Sequence, residues 1–192
     1  MQAVASRQPR RNAAEPAWTL RPVSPSDESA LHALLSQPEV YRFLCDGEPP
    51  PREATARWIA TALEGGDAAL GLWLLRDGDD RLAGCARLSA VREEPTWAEL
   101  TYALHPGCWG LGLATGMSWR VCERAFGTGR VASILAGADA PNTASFEVMK
   151  RLGMRFLRHT RYPLGPGYEY VLHRGDAEPP ARVRAISLLV SD

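Results

Sequence analysis

The chain has 192 residues, with 22 Lys and Arg balancing 22 Asp and Glu, so nothing in its charge argues for a nucleic-acid or polyanion partner. That length suits one domain with a sizeable core, and no apolar run approaches the roughly 18 residues that a membrane span needs. Residues 1–16 carry arginines but no apolar h-region and read as a disordered leader rather than a secretory signal, while Cys45, Cys85, Cys108 and Cys122 form no CxxC pair. Scattered thiols of this kind fit a reducing, cytoplasmic setting better than a disulfide framework, and they predict no metal site.

In chain order, Trp18 to Pro22 reads as a short first strand. Ser24-Pro-Ser-Asp27 is a turn and helix-start cluster, followed by Leu31, Leu34 and Leu35 at helical spacing. Pro38 either stops that helix or opens a short next one through Val40 to Leu44, and Gly47-Glu-Pro-Pro-Pro51 is a loop of restricted backbone. Arg52 to Leu63 reads as a helix with Ala56, Ile59, Ala60 and Leu63 on its apolar face, ended by Gly65-Gly66. Ala69 to Leu75 and Arg81 to Leu88 are strands joined by a turn at Asp77–Asp80, and Arg92 to Pro95 is a surface loop.

Ala98, Leu100, Tyr102 and Leu104 then alternate with Glu99, Thr101 and Ala103, the period of a strand. Pro106 and Gly107 end it. Gly110 and Gly112 bracket Leu111 where a helix opens, and Leu113, Met117, Val121 and Ala125 recur every four residues beyond. Unpaired N–H groups at a helix start, approached closely through glycines, predict an anion site, foremost for a pyrophosphate. The same glycines would also serve a plain strand–turn–helix corner. Val131 to Ala136 is a buried strand. Asn142 opens a helix carrying Phe146, Met149 and Leu152, with Gly153 and Met154 placed as its C-terminal cap. Phe156 to Tyr162 and Tyr168 to His173 are closing strands, with Leu164 to Gly167 between them. For residues 177–192 three readings stay open: packed on the domain, packed on a partner subunit, or disordered.

Trp109-Gly-Leu-Gly-Leu-Ala114 resembles the acyl-CoA loop of the GNAT N-acetyltransferases, with Trp109 in place of the usual Gln or Arg. Asn142-Thr-Ala-Ser145 through Leu152-Gly-Met154 is similar to a second element of the branch that acetylates protein N-termini, including the ribosomal-protein acetyltransferases. The resemblance runs from about Trp18 to Arg174. It implies an α/β (α+β) GNAT fold over residues 17–176, a single mixed, centrally splayed sheet of about six to seven strands flanked by helices.

It also implies acetyl-CoA as co-substrate, held by Trp109, Gly110, Leu111, Gly112, Leu113, Ala114 and Thr115. Main-chain groups at Ala103, Leu104 and His105 would join them, with Asn142 and Ser145 from the second element. In the family the two helices after the first strand wall the acceptor site, which makes Tyr41, Phe43 and Trp58 substrate-groove candidates or ordinary core aromatics.

An ammonium cannot attack a thioester until it loses a proton. Glu99 is the leading base, and it reads equally as a carboxylate on an exposed strand face. Glu48, Glu53, Glu94 and His105 are weaker rivals. Many relatives supply an acid for the leaving thiolate from a tyrosine at the place of Met149, which cannot donate. Ser145 matches the branch's alternative, or serves only the helix start. The implied reaction is direct transfer in a ternary complex to a primary amine, with the protein N-terminus the preferred acceptor. A small-molecule amine of aminoglycoside type, or a non-catalytic CoA-binding regulator, are the rival readings. A homodimer is compatible with the resemblance.

Overall fold

The computed structural model describes residues 18–65, 69–181 and 186–188. The leader, Gly66 and residues 182–185 and 189–192 of the C-terminal tail lie outside the described residues. Eight strands form one mixed sheet: β1 (Thr19–Pro22), β2 (Gly71–Arg76), β3 (Leu82–Val91), β4 (Glu94–Leu104), β5 (Ser133–Asp139), β6 (Arg155–Tyr162), β7 (Gly165–His173) and β8 (Ser187–Leu188), in spatial order 6-7-5-4-3-2-1-8. Seven of these match the expected sheet. The eighth is a two-residue strand that pairs parallel with β1 at Thr19 and Leu20.

Alternation along the strands sorts the side chains into two layers. On one face Leu88, Ala98, Leu100, Ile134 and Ala136 join Leu113, Met117, Val121 and Phe146 in the larger core, from α4 (Leu113–Gly127) and α5 (Thr143–Arg151). On the other, Leu72, Leu74, Cys85 and Ala103 pack with Leu31, Leu34, Leu35 and Ile59 from α1 (Glu28–Leu35) and α3 (Arg52–Glu64). Between those two helices runs α2 (Pro38–Leu44).

Three expectations need correction. The expected 92–95 loop is a tight turn, because β4 starts at Glu94 and pairs it with Val91 across an irregular step in register. The last strand starts earlier than the expected Tyr168, since Gly165, Pro166 and Gly167 are already paired residues of β7. In both places glycine and proline read as breaks, but neighbouring strands supply the ladder that the local sequence does not favour. The apolar face of α3 is also rotated. Thr55 and Ile59 are buried with Trp58 and Ala62 packed beside them, while Ala60 is exposed and Leu63 is 49% exposed. The C-terminal cap of α5 is as expected: Gly153, at φ +79°, donates to Lys150 O at 3.0 Å and Met154 donates to Met149 O at 3.0 Å.

One polar knot ties β1, β2 and the start of α1 together. Asp27 is 2% exposed and accepts from Arg21 at 2.7 and 2.8 Å, from Arg76 at 2.6 Å, and from the Ser24 amide at 2.7 Å. Burial alone would raise its pKa, but these donors outweigh burial and hold it below the usual carboxylate range. The folded value lies below the unfolded one, so the stabilisation is complete above about pH 4 and is lost as pH falls further. We expect Asp27→Asn to cost about 3 kcal/mol at neutral pH by denaturant titration, because two guanidinium groups lose their anion. A loss under 0.5 kcal/mol would show the knot to be dispensable.

Candidate active site

The central pair of strands parts partway along its length. Parallel β4 and β5 pair at Trp97–Ser133, Ala98–Ile134 and Glu99–Leu135, and no further. Beyond that point β4 stays with β3 as far as Leu104, and β5 stays with β7 as far as Asp139. The result is a fork whose inner edges carry main-chain groups without a strand partner.

Strand phase decides which groups these are. The His105 amide donates to Ala83 O at 2.8 Å. By alternation Ala103 likewise turns its N–H and C=O toward β3, and Tyr102 and Leu104 turn theirs into the fork. The Trp109 indole N–H fills part of that opening by donating to Leu104 O at 2.9 Å, although the side chain remains 52% exposed. Tyr102 is a residue the sequence reading passed over. Its hydroxyl donates to Ser145 O at 3.0 Å and ties β4 to the first turn of α5 across the fork, and burial pushes its pKa up to about 12.

The glycine turn stands at the mouth. Gly110 and Gly112 both have φ +74°, with open space where a Cβ would stand. Gly112 caps α4, whose first intrahelical bond runs from the Gly116 amide to Gly112 O at 3.0 Å. The amides of Leu113, Ala114 and Thr115 therefore precede the helical ladder and are free to bind an anion. The side chains of Leu113 and Thr115 point inward, at 0% and 3% exposure, so these two residues offer main chain only. Leu111 is exposed. Nearby, Asn142 caps α5 by accepting from the Ser145 amide at 3.2 Å. This cradle of positive-φ glycines, unpaired amides and a polar cap fits an extended, diphosphate-bearing ligand.

Glu99 lies on the opposite face, at the last β4–β5 pair. Its carboxyl pKa is raised, chiefly because surrounding protein strips water from it; Glu169 adds to the rise and Arg87 opposes it. Arg87 also stacks over the Trp58 ring, 5.0 Å from its centroid, which links Trp58 to this carboxylate. Trp58 further lines a cleft of about 410 Å³ with Leu35, Cys45, Asp46, Pro50 and Thr55. Tyr41 and Phe43 are half-buried on α2 and do not line that cleft; the Arg42 guanidinium covers the Phe43 ring at 5.0 Å.

His105 accepts from the Gly107 amide at 3.1 Å and so acts as a turn cap. Glu48 and Glu53 are exposed on the α2–α3 loop and the first turn of α3, and Glu94 is exposed at the far end of β4. Met149 is buried on α5. Among the described residues no group of three or more His, Cys, Asp or Glu side chains is placed to hold a metal ion. Among the described residues no helix is long and apolar enough to cross a membrane.

Comparison with known proteins assigns this arrangement of a strand fork beside a glycine-capped helix to a family. A family model described as "Acetyltransferase (GNAT) domain" matches residues 18–155. The chain belongs to this family and is an acetyltransferase. Among solved structures it resembles RimL, a ribosomal L7/L12 alpha-N-protein acetyltransferase in complex with coenzyme A, at 18% identity and TM-score 0.70, over 82% of this chain and 94% of that one. A spermidine N-acetyltransferase from Vibrio cholerae, in complex with CoA and spermine, is similar at 15% identity and TM-score 0.70, over 83% and 96%. A GNAT acetyltransferase from Bacillus anthracis is similar at 18% identity and TM-score 0.70, over 83% and 96%. Searched against curated proteins, the chain has no match.

Gly112→Ala should cost about 1–2 kcal/mol in ligand-free unfolding, because a side chain is strained at this positive φ. An unchanged unfolding midpoint would mean that the turn relaxes to another conformation.

Proposed function

We propose that this chain transfers the acetyl group of acetyl-CoA to a primary amine, as an N-acetyltransferase, by direct attack within a ternary complex. The observation that carries this reading is the parting of β4 and β5 just past Glu99, which sets a carboxylate on one face and the unpaired start of α4 toward the other. In this reading the amides from Gly110 to Thr115 bind the diphosphate. Tyr102 and Leu104 offer main-chain bonds to the pantetheine arm, with Trp109 moving off the Leu104 carbonyl. Asn142 and Ser145 hold the arm from the α5 side. The bound co-substrate supplies an activated thioester.

Glu99 then takes the proton that keeps the acceptor amine from attacking. Its raised pKa makes it a better proton acceptor than an ordinary carboxylate. A main-chain N–H of the fork faces the charge that builds on the acyl oxygen. Met149 has no proton to give, and in this reading the Ser145 hydroxyl, on the likeness to the branch's serine, assists the leaving sulfur.

Two acceptor classes follow. A protein N-terminal amine is preferred on the likeness of Trp109 and of Asn142 to Ser145 to the branch that acts on such termini, with Trp58 on the cleft of that side. A polycationic small amine is favoured by a different feature: Glu99, Glu169 and Asp139 all face the acceptor side of the sheet.

Offering acetyl-CoA with N-terminal peptides, polyamines and aminoglycosides, and following free thiol, tests the reading. Thiol release with one of these classes supports it; none with any class rejects it. Glu99→Gln should lower turnover by about 10²-fold or more near neutral pH while CoA binding persists. The low-pH limb of the wild-type rate profile should lie above the ordinary Glu value of about 4.3. Unchanged turnover of Glu99→Gln across pH would remove Glu99 as the base.

A further inference from the structure

Tyr162 ends β6, at the edge of the sheet, yet its hydroxyl reaches the centre. Two glycines make this possible. A Cβ on Gly167 of β7 would stand 2.5 and 2.6 Å from Cδ2 and Cε2 of the tyrosine ring, and a Cβ on Gly137 of β5 would overlap its hydroxyl oxygen. The ring therefore lies flat across β7 and β5 with its oxygen directed toward β4. Gly137 is two residues past Leu135, the last β5 residue paired with β4. The hydroxyl thus stands where the fork opens, on the face that carries Glu99.

The charged groups around it come from every neighbouring element. Glu99 faces it from β4, Asp139 from β5, Glu169 from β7 and Arg158 from β6. Arg87 on β3 lies near Glu99, and Asp46 of the α2–α3 loop lies near Asp139. Glu169 is 9% exposed and is occupied by Arg158, whose Nε donates to it at 2.6 Å. Asp139 is 7% exposed, and burial raises its pKa. The Tyr162 hydroxyl itself makes no hydrogen bond among the described residues. The tip of its hairpin, Leu164, comes against Gly47 of the loop that covers this face.

We propose that the Tyr162 hydroxyl is the contact point for the acceptor nitrogen and relays its proton to Glu99. This rests on the acetyl-transfer reading above. The hydroxyl oxygen accepts one N–H of the acceptor ammonium. That N–H bond breaks as the proton joins Tyr162 Oη, the original Oη–H proton passes to a bridging water, and that water hands one of its own protons to a Glu99 carboxylate oxygen. Tyr162 ends neutral, Glu99 ends protonated, and the amine ends with the lone pair it needs for attack. Burial, together with Glu169, Glu99 and Asp139, holds the Tyr162 pKa up to about 12, so the phenol rests protonated and gives up its own proton as it receives the amine's.

The test compares wild type, Tyr162→Phe and Gly137→Ala with the best acceptor from the thiol-release panel, recording CoA binding and melting temperature alongside. Tyr162→Phe should retain CoA binding and lose about 10²-fold in kcat/KM for the amine. Its low-pH limb should move up by a pH unit or more toward the amine's own pKa, since only pre-deprotonated amine then reacts. Gly137→Ala keeps the phenol but displaces it, and should reproduce both changes. Wild-type kcat/KM in Tyr162→Phe, or a reduced kcat/KM with an unmoved low-pH limb, would overturn the proposal. Either result leaves acetyl transfer standing, because that reading fails only if the wild type releases no thiol.

Discussion

Everything at this site depends on two parallel strands that stop pairing. β4 and β5 exchange main-chain hydrogen bonds as far as Glu99 and Leu135, and then each follows its other neighbour. Buried main-chain donors and acceptors without partners are costly, so a fork persists only where other groups satisfy its edges. Here the Trp109 indole does part of that work on the Leu104 carbonyl, while the Tyr102 hydroxyl ties β4 to the first turn of α5. Both interactions involve side chains able to move aside for a ligand that offers amides of its own. The fold therefore holds an opening in the middle of its sheet instead of at its surface.

The two faces of the fork have opposite chemistry, and the layered core explains why they stay separate. On the α4–α5 side the strands bury Leu100, Ile134 and Ala136 against the helices, and the polar features are main-chain groups and helix starts suited to an anionic, extended ligand. On the other side the helices cover only the β1–β4 half of the sheet. Over β5 and β7 the floor is made of glycines and carboxylates, with Tyr162 laid across it. In the proposed reading a negatively charged co-substrate and a positively charged acceptor meet at one gap from opposite sides, which would keep the attacking nitrogen among carboxylates until it reaches the thioester.

Much of this was legible in the sequence, because the relevant signals are local. The glycine pair before α4, the Asn142 cap, the Gly153–Met154 ending of α5 and the alternation placing Glu99 opposite Leu100 each need only a few adjacent residues. What was not legible depends on distant partners. Gly165 and Pro166 read as a break between strands until β6 supplies their ladder. The phase that turns Tyr102 and Leu104 rather than Ala103 and His105 into the fork follows from a bond to Ala83, on another strand. Tyr162 was hidden for the same reason. Gly137 and Gly167 are 30 positions apart and look unremarkable until pairing sets them side by side beneath one ring.

The central claim is that coenzyme A is held by the main chain of the fork and of the glycine turn. Residue-resolved amide hydrogen exchange, with and without CoA, tests it most directly. The account predicts slowed exchange at Tyr102, Leu104 and the Leu113 to Thr115 amides, with Ala103 and His105 unchanged because their amides already serve β3. Protection elsewhere that leaves the fork and the glycine turn exchanging as before would contradict it.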